Sequence, residues 1–558
     1  MFAQRTGARR SLFYCSQMRR IISLLFFIVC ASAAAIVPAK SERHVVIVVW
    51  DGMRPDFVTE QNTPTLWKLA GEGFTFRNHH AVFPSATNVN GTAMVTGVYP
   101  GKSGIIANYV YRPDIDSHSA VGIELPSVVE KGDELSGGKY VSAPTVAELV
   151  QSAGARSLIA SAKTVGLLLD RQCRARREVG DLSSQDGKQQ NVTLFAGQCL
   201  PNVALAPMTE VLGPFPSAHL QKDSWTTKAL IDVLWKDGLP AFSVLWLGEP
   251  DLPQHETAPG APAALAAIKS ADENLAAVLS GLDERKARET TDVFVVSDHG
   301  FSTIRHSIDL RKILNEAGFV ATTEFNGEPK PGDIMLVGNG GSVLFYVIGH
   351  DATVTRRLVE FLQQSDFAGV IFTKRPMEGT FALEQANLQT DRAPDVVMAF
   401  RWDARKNQFG IPGMIDADWQ RAAGKGTHAT LSRLDMHNML VTAGPDFKRG
   451  QMDDLPSGNI DLAPTILQVL GIKAPSKIDG RILSEAMPGA NSTNGDSKPG
   501  VSSQTAETKT IEATKHFPSG TWRQSLQISR IGATVYLDEG NGVFVADKPS
   551  AHELQGDR

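Results

Sequence analysis

The 558-residue sequence predicts an α/β fold, with a central, mostly parallel sheet flanked by helices, a cap or insert, and a small β-rich appendage near the C-terminus. Three observations carry this reading. Short β-branched runs are almost continuously apolar, as strands covered on both faces must be. Amphipathic stretches of helical period lie between them, the alternation that makes a parallel sheet. Three of the apolar runs end in an acid, at the strand ends where α/β proteins collect their sites.

In chain order, the strand candidates are HVVIVVWD (44–51), RSLIASAK (156–163), FSVLWLGEPD (242–251), DVFVVSDHG (292–300), SVLFYVIG (342–349) and NMLVTAGP (438–445). The helix candidates are TPTLWKLAGEG (63–73), TVAELVQSAG (145–154), SWTTKALIDVLW (224–235), APAALAAIKSADENLAAVLSGL (261–282) and NIDLAPTILQVLG (459–471). A first part of the core is expected over 44–300. Residues 301–425, looser and rich in Gly and Pro, read as the cap or insert, and the core resumes over 426–488. Residues 489–520, with their Ser, Thr, Gly, Asn and Lys, have linker composition. The tail 521–558 begins with the short strand-like runs TWRQSLQIS and ATVYLD around a Gly turn.

Residues 1–35 carry five Arg and no acid, and the apolar run IISLLFFIVCASAAAIV (21–37) ends in small residues. This is the layout of a secretory signal peptide; a single membrane anchor is the alternative. Either way the bulk of the chain is expected outside the cytoplasm, secreted or periplasmic, with a membrane as partner only if the segment is uncleaved. Losing those five Arg moves the net charge from −5 to −10. So acidic a protein has no electrostatic reason to track a nucleic-acid backbone, which argues against duplex substrates. Cys173 and Cys199 pair in an oxidising compartment or stay as two free thiols; neither lies in a metal-ligand pattern.

The acids carry the chemistry. Asp51 ends the first strand. Asp251 ends another, with His255 four residues later, and Asp298-His299 end a third. Any one of these fits a turn. Three at one sheet edge would repel each other without a cation. His428, in GKGTHAT (424–430), completes a set with Asp251 and His255, while Asp51, Asp298 and His299 make a second. Asp/His sets without Cys suit Zn²⁺, with Mn²⁺ or Fe as alternatives. Two divalent ions are the usual solution for splitting phosphate esters.

FPSATNVNGTAMVTG (83–97) then places Thr87 at a helix start, where negative charge is favoured. A hydroxyl there, bound to a cation, is a nucleophile at neutral pH. Asn90, one turn on, is expected to donate to a phosphate oxygen.

These segments resemble the type I phosphodiesterase/nucleotide pyrophosphatase family of the alkaline phosphatase superfamily. The resemblance rests on VVIVVWDGMRPD, NTPTLWKLAGEGFTF, FPSATNVNGTAMVTGVYPGKSGIIAN, EPDLPQH, VVSDHGF, GTHAT and GPDFKRG, in the family's order over roughly 44–471. It implies an alkaline-phosphatase-like sandwich. It also implies Asp51, Thr87, Asp298 and His299 around one zinc, with Asp251, His255 and His428 around the other and Asn90 on the phosphate. Lys163 and Asn108 are further candidates for substrate binding. The implied activity is hydrolysis of a small phosphorylated substrate, such as a nucleotide or phosphodiester, through a phospho-threonine intermediate.

The sequence departs from the family at Asn88-Val89-Asn90-Gly91, where nucleotide-cleaving members usually have Phe-Pro-Asn-His. That and DLPQHETAPG are nearer to phosphonoacetate hydrolase, a sibling that grips its substrate's carboxylate with two lysines. Here only Lys163 is present and Val165 stands at the second place. Phosphonate hydrolysis, phosphate monoester hydrolysis and a catalytically silent binding protein on the same scaffold are the alternatives. Tyr109 and Tyr111 are candidates for stacking a base, or for ordinary packing.

Overall fold

A computed structural model describes residues 43–172, 190–489 and 505–547. The segment read as a signal peptide or anchor lies outside the described residues. So does Cys173, while its candidate partner Cys199 is buried. Among the described residues, no helix is long and apolar enough to cross a membrane.

The central sheet contains β1 (His44–Trp50), β2 (Phe74–His80), β3 (Ser157–Ser161), β4 (Val192–Phe195), β5 (Gln198–Leu200), β6 (Phe242–Leu247), β7 (Thr291–Val296), β8 (His437–Ala443), β9 (Gln451–Asp453) and β10 (Ser457–Gly458). Their order is β9-β2-β8-β7-β1-β6-β3-β4-β5, with β10 also on β2. The strands β7, β1, β6, β3 and β4 run parallel. The sheet is nevertheless mixed, because β8 is antiparallel to both β7 and β2, and β5 to β4.

Near-continuous apolarity has its cause in two separate cores. Along β1, Val45, Ile47 and Val49 enter one core, while Val46, Val48 and Trp50 enter the other. The α-helix α3 (Pro262–Glu284) covers the second core with Ile268, Ala271, Leu275 and Val278; α4 (Leu462–Leu470) covers the first with Leu462, Ile466 and Leu467. At the start of α1 (Pro64–Glu72), Pro64 lacks an N–H, and the next two N–H groups donate to the Asp272 carboxylate of α3 at 2.9 and 2.8 Å.

Residues 302–427 add two further sheets. One has the antiparallel pair Ile334–Gly338 and Ser342–Val347, followed in space by Val396–Phe400 and Ala368–Thr373. The tight turn of that pair, at Asn339-Gly340-Gly341, points back to the core: Gly341 N–H donates to His428 O at 2.7 Å.

The C-terminal part differs from the expectation in two respects. The stretch expected as linker contains β11 (Glu507–Phe517), which forms an antiparallel meander with β12 (Gly520–Ile531) and β13 (Thr534–Ala546). The meander is also no loose appendage. Gln524 exchanges two hydrogen bonds with the Ile371 backbone, Trp522 is fully buried and donates to Gly379 O, and Tyr536 donates to Asp461 at 2.7 Å. The linker reading fails because β11 is a polar sequence, ETKTIEATKHF, in which only alternate residues from Ile511 on are half-buried, and so shows no apolar run.

Candidate metal centre

Three adjacent strands build the floor of the site. Trp50 pairs with Leu247, and Val49 with Val296, so β7, β1 and β6 end at one edge. Asp51, Asp298 and Asp251 follow those ends and are buried. Asp51 has partners on both oxygens, Thr87 on Oδ1 and Trp246 on Oδ2, whereas Asp298 and Asp251 are each anchored on one side and bare on the other. Asp298 Oδ1 accepts from the N–H groups of Gly52 and His299, at 2.9 and 3.0 Å, while its Oδ2 has no hydrogen-bond partner among the described residues. Asp251 Oδ1 likewise has none.

Three imidazoles converge on these oxygens. His299 Nδ1 lies 2.9 Å from Gly300 O, His255 Nδ1 lies 3.0 Å from Gly426 O, and His428 Nδ1 lies 2.7 Å from Ser85 O. A carbonyl only accepts, so each Nδ1 carries the proton and each Nε2 presents a lone pair. Those lone pairs face carboxylates: His299 Nε2 is 3.3 Å from Asp298 Oδ2, His255 Nε2 is 3.2 Å from Asp251 Oδ1, and His428 Nε2 is 3.7 Å from Asp251 Oδ1. Acceptors aimed at acceptors in a buried pocket fit a cation between them. The carbonyl behind each imidazole is the support that metal-ligating histidines use. Two groups of donor atoms, Asp51-Asp298-His299 and Asp251-His299-His428, each lie within 4.8 Å of one another, with His299 common to both. His299 and His428 stack with ring centroids 3.7 Å apart.

Electrostatics point the same way. Burial, then the neighbouring Asp298, push the Asp51 carboxyl up. Burial pushes Asp298 up to about 7, and Asp251 adds to this. Burial also raises Asp251, but the Lys163 ammonium outweighs it and holds that carboxyl well below the usual range. Burial together with His299 and His255 keeps His428 well below its ordinary value, hence neutral. Lys163 Nζ, 2.9 Å from Asp51 Oδ2 and 3.1 Å from Asp251 Oδ2, is the one cation in direct contact with these carboxylates among the described residues.

Thr87 is the first residue of α2 (Thr87–Thr96), and its Oγ1 lies 3.3 Å from His299 Nε2 and 3.5 Å from Asp51 Oδ1. Asn108 Oδ1 accepts from Asn88 N–H at 3.0 Å, beside the helix start. Its amide N–H₂ has no partner among the described residues. Tyr109, next to it, is exposed, whereas Tyr111 is buried against Phe325 and Tyr346 and is a packing residue.

Asn90 corrects an expectation. It is fully buried, and its Nδ2 donates to the carbonyls of Val82, Pro84 and Ala86 while its Oδ1 accepts from Val82 N–H and from Asn459. No donor is left for a phosphate. Asn90 instead folds the loop that delivers Thr87, and Asn459 extends the link to the Asp298 carbonyl at 2.8 Å.

Sequence reasoning missed several supports. Asn339 clamps the Tyr109 backbone by two hydrogen bonds, at 2.9 and 3.1 Å. Asp223 accepts from Gly248 and Glu249 N–H in the loop before Asp251, and Trp246 Nε1 donates to Asp51 Oδ2 at 2.9 Å. Ala429, after His428, holds φ of 78°, a conformation that costs energy for a residue with a side chain. Asn339, Asp223 and Trp246 lie in no motif, because each acts through tertiary contact, and Ala429 lies in GTHAT, where nothing in the sequence announces its φ.

The family described as type I phosphodiesterase / nucleotide pyrophosphatase matches residues 45–406. Among curated relatives, the chain is 25% identical over 279 residues to a venom phosphodiesterase of Macrovipera lebetinus, covering 49% of this chain and 28% of the relative. It is 22% identical over 258 residues to ectonucleotide pyrophosphatase/phosphodiesterase family member 3 of Rattus norvegicus, covering 46% and 24%. The chain thus spans less than a third of the length of these relatives. Among solved structures, murine ectonucleotide pyrophosphatase/phosphodiesterase 5, as an inactive variant in complex with AMP, shares the fold at TM-score 0.55 and 16% identity, over 78% of this chain and 96% of that one.

Proposed function

Because the chain belongs to the type I phosphodiesterase/nucleotide pyrophosphatase family, we propose that it is an exported two-metal phosphodiesterase acting on small phosphorylated substrates, with Thr87 as nucleophile. The observation that carries this reading is the convergence of three proton-bare imidazole nitrogens and three buried carboxylates around the Thr87 hydroxyl. Asp51, Asp298, His299 and Thr87 would hold one divalent ion, most simply Zn²⁺, and Asp251, His255 and His428 the other. When bound, such ions supply charge neutralisation at the phosphoryl group and lower the pKa of hydroxyls.

The chain's own residues do the rest. Thr87 Oγ1 lies beside Asp51 and His299; its proton goes to solvent water and a lone pair is left for phosphorus. Attack forms an Oγ–P bond and breaks the P–O bond to the leaving alcohol. Water then breaks the Oγ–P bond and returns the hydroxyl. The start of α2 favours the negative charge that collects there. Asn108, pinned by Asn88 N–H, has its amide N–H₂ free for a phosphoryl oxygen. Lys163 offers a positive charge at the same edge.

Nucleotides are the favoured substrate class, in keeping with the AMP held by the murine neighbour and the names of the relatives. Phosphonoacetate-like substrates fit less well. Val165, at the place of a second lysine, is 1% exposed and sits against the buried side of α2, where a Cβ on Gly91 would touch it. The Arg-rich, then apolar N-terminus supports export. The direct test is a side-by-side rate on an aryl phosphodiester, an aryl phosphate monoester and phosphonoacetate. The diester should be fastest; a preference for phosphonoacetate would place the protein with the carbon–phosphorus hydrolases.

A further inference from the structure

A second cluster of ligand-type side chains lies away from Thr87, where the C-terminal meander meets the central sheet. His80 ends β2, His437 begins β8 directly opposite it in the ladder, and Asp538 comes from β13. One ligand atom from each lies within 4.8 Å of the other two. His80 and Asp538 are buried, and His437 is half-buried.

The bonding around these groups is incomplete in a specific way. His80 Nδ1 lies 2.9 Å from Ser457 O, so it carries the proton, and Nε2 is left with its lone pair. Nε2 lies 3.0 Å from Asp538 Oδ1, yet among the described residues neither atom has a hydrogen-bond partner of good geometry. Asp538 Oδ2 is held by Ser529 at 2.8 Å and Gln527 at 3.3 Å, which fixes the carboxylate with Oδ1 toward the imidazoles. The His437 ring meets the His80 ring edge-on at 4.5 Å, and its nitrogens have no hydrogen-bond partner among the described residues. Tyr536 stacks on His80 at 5.5 Å and keeps the ring in place. A simple imidazolium–carboxylate pair would use two of the three groups in poor geometry. A cation uses all three.

We propose that His80, His437 and Asp538 form a divalent-cation site, separate from the cluster at Thr87, that clamps the C-terminal meander onto the central sheet. Two neutral imidazoles and one carboxylate suit a first-row divalent ion, Zn²⁺ above all, with water completing four-coordination. The carbonyl of Ser457 behind His80 is the support such a ligand needs. Along the chain His437 follows His80 by 357 residues and Asp538 follows His437 by 101, so the ion ties the meander into the folding of the whole domain.

The test uses the full chain, with zinc as the probe. Zinc per chain is measured by elemental analysis after equilibration and gel filtration, for the parent, His437→Gln and Asp538→Asn. Each variant should bind one zinc fewer than the parent, with turnover of an aryl phosphodiester unchanged; variants that keep the parent's zinc content overturn the proposal. Should either variant fail to fold, anomalous diffraction at the zinc edge from parent crystals decides. A peak bounded by His80, His437 and Asp538 supports the site, and its absence at millimolar zinc overturns it.

Discussion

Two asparagines near Thr87 do different work. Asn90 spends its amide on the loop before the helix, and Asn108 keeps its N–H₂ free beside the helix start. Asn90→Ala should therefore act on stability. It leaves the buried N–H and carbonyl of Val82 unpaired, at about 1–3 kcal/mol for each that finds no substitute, while the Pro84 and Ala86 carbonyls keep backbone partners. Asn108→Ala should slow the reaction roughly 100- to 1000-fold, the usual effect of losing one donor to a charged oxygen, and lower the melting temperature less than Asn90→Ala, because it unpairs only the Asn88 N–H. Thermal melts and rates on one aryl diester check both, and the reverse pattern would restore Asn90 to the phosphate. The same pair shows how far single residues were legible. Asp51, Asp251 and Asp298 could be picked out because each ends an apolar run. Asn90 was misassigned because spacing along a helix does not tell which side of it meets the ligand. Every residue of α2 is buried, so no polar face marks the direction of the site.

At the scale of elements, the centre depends on a turn that belongs to another sheet. Gly341 N–H donates to His428 O, and a Cβ at Gly341 would overlap that carbonyl and Thr430. Backbone atoms cannot swing aside as the end of a long side chain does. Gly341→Ala should cost about 1–3 kcal/mol, as overpacking commonly does, and displace His428. The expected outcome is loss of bound metal and of activity from a residue that touches neither. Elemental analysis and rate measured together check this; full metal content with normal turnover would show the turn to be a bystander. The sequence marked 301–425 only as a Gly- and Pro-rich insert. Its contact with GTHAT could not be read, since no local signal records which distant loop a turn will meet. The strand ends were readable for the opposite reason: β7, β1 and β6 are parallel neighbours, so three independent local signals fall at one edge.

Over the whole molecule, the buried carboxylates make stability depend on pH and metal together. Burial raises Asp51, and raises Asp298 and Asp223 to about 7. A carboxyl whose folded pKa exceeds its unfolded value, near 4, binds its proton more tightly when folded. The stability this contributes is full below about pH 4 and is lost as pH rises through about 7. Metal-stripped protein should accordingly melt lower at pH 8 than at pH 6. Added zinc should raise the melting temperature more at pH 8, where it no longer competes with protons. A metal-free melting temperature that stays flat or climbs between these pH values would contradict the description of the centre. The C-terminal meander takes part in the same domain through Trp522, Gln524 and Tyr536, which composition alone concealed behind a polar first strand. What joins all three scales is the assignment of Thr87 as the group that takes the phosphoryl moiety. The most direct measurement is mass spectrometry of zinc-loaded protein acid-quenched during turnover of an aryl phosphodiester. The peptide containing Thr87 should carry the added mass of the phosphoryl moiety, and Thr87→Ala should show neither adduct nor turnover; normal turnover in Thr87→Ala, or an adduct on another residue, would contradict it.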